Sequence, residues 1–75
     1  MKREHFLKKV AIAVKNGRTK KSLTLFDLEV MTDISKRQLI RIEQGNANLA
    51  AYTLYKLVTA LEIDINDLFV VSPLK

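Results

Sequence analysis

The side chains best able to do chemistry lie together at residues 35–43, Ser35-Lys36-Arg37-Gln38-Leu39-Ile40-Arg41-Ile42-Glu43. At about 100° per residue of helix, Leu39 and Ile42 share one face, while Lys36, Arg37, Gln38 and Arg41 project from the other within two turns. Arginine and lysine donate to guanine O6 and N7, and glutamine pairs bidentately with adenine, so these are side chains that can read base edges in a DNA major groove. An ordinary solvated helix face has the same polarity, and the pattern alone leaves both readings open.

Other chemistries find less support. His5 is the only histidine and sits in a basic terminus with no local partner, as a surface residue would. Glu29 and Asp33 are four apart, yet no second pair completes a metal site. Asp64 and Asp67 are accounted for by capping and by the favourable field at a helix start. With no glycine-rich phosphate loop and no cysteine, phosphate cradles, disulfides and thiol nucleophiles are excluded. The expectation is a protein that is not an enzyme and needs no cofactor or metal.

Charge placement favours a polyanionic partner. Residues 1–37 carry ten basic and four acidic side chains, net +6, whereas residues 38–75 carry three and four, net −1. A surface charged for solubility gives the same count. The 75 residues suit one domain, 1–75, with 48% hydrophobic and 28% charged residues. The longest apolar run, Val10 to Val14, falls far short of the roughly 20 residues that span a bilayer. A cytoplasmic protein without membrane contact is expected.

Helical spacing recurs along the chain and strand signals are weak. Phe6, Val10 and Val14 predict a first helix over about 4–20, weakened by Gly17 near its end. Thr24, with Asp27 three residues on, caps a second over 25–32. Ser35-x-x-Gln38 reads as a capping box opening a helix over 35–44, about 15 Å long, and Gly45 supplies its left-handed stop. Leu54, Leu57, Val58 and Leu61 predict a helix over 50–61, and Asp64 caps a last one over 65–69, before an apolar tail, 70–75. The fold class is all-α, a compact five-helix domain. A tight turn between the second and third helices makes a helix-turn-helix, whose second helix offers its first residues to the major groove.

Residues 23–69 resemble the Cro/phage-repressor (XRE) helix-turn-helix family. The resemblance runs through Leu23-Thr24, Leu28-Glu29, Ile34-Ser35 and Leu39-x-x-Ile42-Glu43-x-Gly45, then Thr53-Leu54-Tyr55-Lys56-Leu57, Ala60-Leu61 and Ile65-x-x-Leu68-Phe69. It implies a lambda-repressor-like fold and a transcriptional regulator that binds double-stranded DNA. Lys36, Arg37 and Arg41 match the family's base readers. Gln38 stands where base contact and capping box compete for one amide. Arg18 and Glu43 match a structural ion pair, with DNA contact by Glu43 a secondary role. Segment Asn46–Tyr52 matches a phosphate-clamping loop, so Asn46, Asn48 and Tyr52 join Thr24 and Ser35 as candidate backbone contacts.

Several positions depart from the family pattern. Leu25 replaces a phosphate-binding glutamine, Glu29 a tightly packed alanine, and Asp33 the usual turn glycine, which aspartate tolerates. Phe26, Val30 and Met31 stand at places often polar. They are expected to add core against the long first helix, the alternative being an exposed patch for a protein partner. Ile40 either meets a thymine methyl or packs on the second helix. One recognition helix reads few base pairs, so a homodimer on an inverted repeat is expected. Its candidate interface is Ile65, Phe69, Val70, Val71 and Leu74, which could equally cap the monomer's core. The rival function is an antitoxin-like protein-interaction module working through the second-helix patch, with DNA binding secondary.

Overall fold

A computed structural model describes residues 2–68, and these form helices α1 (Arg3–Lys20), α2 (Leu25–Thr32), α3 (Lys36–Glu43) and α4 (Ala51–Leu61), followed by one 3-10 turn, Ile65–Asp67. No strand occurs among the described residues. None of these helices is long and apolar enough to cross a membrane.

Among the described residues four α-helices, not five, carry the fold, which corrects the expectation of a helix over 65–69. Asp64 does cap the segment, accepting from the Asn66 N–H at 2.9 Å. The bonds that follow close i to i+3 rings, Asp67 N–H to the Asp64 carbonyl and Leu68 N–H to that of Ile65. So short a segment gains too few bonds to offset the cost of nucleating an α-helix, whereas a single tight turn suffices to drive Leu68 fully into the core.

Each junction is built by local chemistry. Thr24 and Asp27 form a complete capping box: Thr24 Oγ1 accepts from the Asp27 N–H at 3.0 Å, and the Asp27 carboxylate from the Thr24 N–H at 2.9 Å. Those bonds hold the Asp27 carboxyl below the usual aspartate range. At Ser35 only half of the expected box forms. Its Oγ accepts from the Gln38 N–H at 3.2 Å, and Gln38 makes no return bond. A neutral amide gains less than a carboxylate from such a bond, because charge-assisted hydrogen bonds are roughly twice as strong.

Helix α3 ends as Gly45 predicts. Gly45 has φ +77°, its N–H donates to the Ile42 carbonyl and that of Asn46 to the Arg41 carbonyl, a Schellman closure. The same closure ends α1, but with Ser22 in the left-handed position, at φ 57°. Asp33 takes φ 60° in the α2–α3 turn. Buried Thr32 completes that turn: its hydroxyl donates to the Leu28 carbonyl at 2.7 Å and accepts from the Ile34 N–H at 3.2 Å. The Ile34 N–H and the hydroxyl itself, otherwise stranded in apolar surroundings, are thereby satisfied.

Helix α1 packs against α3 and α4, and α2 packs against the same two helices. Between them lie Val10, Val14, Leu28, Ile34, Leu39, Ile42, Ala47, Leu57, Leu61 and Leu68. Gly17 belongs to this packing, since a Cβ there would meet the Leu61 Cβ at 3.2 Å; its absence lets the end of α4 approach α1. The expectation that Phe26, Val30 and Met31 extend the core is overturned: they are 65%, 67% and 51% exposed. Helix α2 turns Leu28 and Thr32 inward, which sets Phe26 and Val30 on its far side, and α1 does not lie along it to cover them.

Candidate nucleic-acid interface

The α2–α3 turn and the core decide which α3 side chains meet solvent. Leu39 is fully buried and Ile42 nearly so, which locks the rotation of the helix. Lys36, Arg37 and Arg41 are then exposed, Gln38 half-buried, and Ile40 exposed rather than packed under α2. None of the three cations has an ion-pair partner among the described residues, where the pairs formed are Arg18–Glu43 and Lys21–Glu62. The Gln38 amide, left unused by the half-made cap, is also free for a ligand. The result is an unneutralised cationic strip with an amide beside it, on a helix of 8 residues, about 12 Å long.

A clamp fixes the far end of that helix. Arg18, near the end of α1, gives its Nε to Glu43 Oε2 at 2.7 Å, its Nη2 to Oε1 at 3.0 Å and its Nη1 to the Leu23 carbonyl at 3.0 Å. The side chains are 19% and 10% exposed. The hydrogen bond to Glu43 pushes the arginine pKa above its ordinary value. One guanidinium thus ties α1, the α1–α2 link and the C-terminal end of α3 together. Glu43 is turned into the protein by this geometry, away from the strip.

The remaining candidates divide. Thr24 and Ser35 spend their oxygens on capping but keep a hydroxyl proton to donate. Asn46, Asn48 and Tyr52 are exposed. Ala50 begins α4 without any side-chain cap, so the first N–H groups of that helix remain open to an acceptor. Ile65 is exposed, while Phe69, Val70, Val71 and Leu74 lie outside the described residues. Two side chains were missed: Tyr55 stacks on Tyr52, and Lys56 lies over the Tyr52 ring. Their spacing of three and four residues from Tyr52 was the available signal. Among the described residues no cluster of His, Asp or Glu is arranged to hold a metal ion.

A family model described as a Cro/C1-type HTH DNA-binding domain matches residues 16–73. A crystal structure of an HTH_3 family transcriptional regulator from Vibrio cholerae superimposes with a TM-score of 0.79 at 29% identity, over 91% of this chain and 38% of that one. The chain thus spans well under half of that regulator's length. No curated protein sequence matches.

Proposed function

The chain belongs to the Cro/C1-type helix-turn-helix DNA-binding domain family, and from that premise we propose that it is a sequence-specific transcriptional regulator reading double-stranded DNA with α3. The observation that carries this reading is the unpaired strip Lys36, Arg37, Arg41 with the free Gln38 amide, held outward by buried Leu39 and Ile42. Placed in a major groove, the two arginines donate to guanine edges and Gln38 to adenine. Thr24, Ser35, Asn46 and Asn48 meet backbone phosphates and set the register, with Tyr52 beside them at the start of α4.

The regulator acts in the cytoplasm as a homodimer on an inverted repeat, with half-sites about 34 Å apart. Exposed Ile65 supports an interface at the chain's C-terminal end, continued by Phe69, Val70, Val71 and Leu74. No cofactor or metal is needed. The test is DNA affinity after Arg37→Ala and Arg41→Ala. Each is expected to cost about 1–3 kcal/mol at the preferred site while leaving the unfolding midpoint unchanged. Unchanged affinity in both variants rules out α3 as the reader.

The exposure of Phe26, Val30 and Met31 favours a second reading beside the first. An apolar strip on an outward helix face suits a protein partner, as in an antitoxin-like module. Phe26→Ser with Val30→Ser separates the two: capture of a partner is lost and binding of DNA retained if the strip is a protein surface. Loss of DNA binding by the folded variant contradicts that assignment.

A further inference from the structure

We propose that Lys56 grips a DNA backbone phosphate and that Tyr52 serves this contact through its ring, as the positioning residue for the lysine, and not through its hydroxyl. The inference rests on the DNA-binding reading and extends it beyond α3 and the loop that follows. Tyr52 and Tyr55, exposed, and Lys56, half-buried, lie on the side of α4 opposite buried Leu57 and Leu61. The two rings stack with centroids 6.2 Å apart and planes 18° from parallel, and Lys56 Nζ lies 5.0 Å over the centre of the Tyr52 ring.

Long side chains on a helix lean toward its N-terminus. The Lys56 charge is thereby delivered one turn back, beside Tyr52, at the end of α4 that the loop 44–50 joins to α3. Along the chain between Arg41 and the end of the described residues Lys56 is the only basic side chain. Lys56 forms no ion pair among the described residues. An ammonium held over a ring keeps N–H donors directed away from it, and stacked Tyr55 supports that ring from the side. A fixed, unneutralised cation continuous with the loop that leaves α3 is suited to a phosphate of the same duplex. It carries no sequence information.

The test is anisotropy of a labelled duplex, preferred and scrambled, titrated with the full chain between about 50 and 200 mM salt. Lys56→Gln is expected to lower the slope of log K against log salt by about 0.9 and to weaken both duplexes by the same factor, keeping their ratio. Tyr52→Phe, which retains the ring, leaves the slope as it was. Tyr52→Leu lowers it by part of the Lys56→Gln effect, and Lys56→Arg restores it, so a folding defect in any one variant does not decide the outcome. An unchanged slope in Lys56→Gln overturns the phosphate contact while leaving base reading by α3 intact. A loss in Tyr52→Phe equal to that in Lys56→Gln overturns the ring role and makes the hydroxyl the contact. Absence of duplex binding by the unmutated chain removes both this inference and the DNA-binding reading beneath it.

Discussion

Replacing Arg18 by methionine removes a side chain that joins α1, the α1–α2 link and α3 by hydrogen bonds. Glu43 is then left at 10% exposure with neither of its hydrogen bonds, at 2.7 and 3.0 Å, and the Leu23 carbonyl loses a third. Hydrogen bonds to charged groups contribute about 1.5–3 kcal/mol, and breaking one side of a fully buried pair costs about 3–5 kcal/mol. This pair is partly exposed, so about 3 kcal/mol is expected. For a chain of this size total stability is only about 4–11 kcal/mol, and the loss should lower Tm by about 12–24 °C. Glu43→Leu leaves the arginine, the more exposed partner, unpaired, and should cost about 2 kcal/mol. The double variant strands no charge and should cost much less than the sum, a coupling of about 2–3 kcal/mol. Urea unfolding followed by helical circular dichroism measures all four proteins. Additive costs, with coupling under about 0.5 kcal/mol, would refute the clamp.

Thr32→Val keeps the shape of the side chain but deprives the Ile34 N–H of its acceptor; a loss of about 1–3 kcal/mol is expected by urea unfolding, and a neutral result contradicts the role given to this hydroxyl. Ser22→Gly relieves a left-handed residue at φ 57° and should raise stability by about 1 kcal/mol, seen as a higher Tm. Asp27 titrates below its unfolded-state value because of its bonds to Thr24, so its contribution is present above about pH 4 and is lost as pH falls through the depressed folded value. Acid unfolding of Asp27→Asn should therefore show a shallower decline below about pH 4 than the parent; identical profiles would contradict it.

Much of this was legible in the sequence, because the strongest signals are local. Thr24 with Asp27, Ser35, and Gly45 mark helix ends through their own backbone bonds, and α2 and α3 appear where those residues place them. The spacing of Leu39 and Ile42 determines which side of α3 is outward. What failed depends on distant packing. Phe26, Val30 and Met31 are apolar, but whether they are covered is decided by the path of α1 across α3 and α4. The segment after Asp64 has helical residue types, yet the burial of Leu68 is met by a single turn. Gln38 reads as a capping partner by type and spacing, and only the weaker pull of a neutral amide explains its absence from the cap. Thr32 gave no sequence signal, since its value lies in a turn whose Ile34 N–H is buried.

If α3 reads base sequence in duplex DNA, its preferred site can be recovered from a random pool. Selection of binding sites from a random duplex pool, at near-physiological salt, tests it most directly. Enrichment of an inverted repeat with half-site centres about 34 Å apart is the result expected of the proposed dimer. Binding that falls steeply with salt but enriches no sequence would contradict base reading and leave only a phosphate-gripping surface.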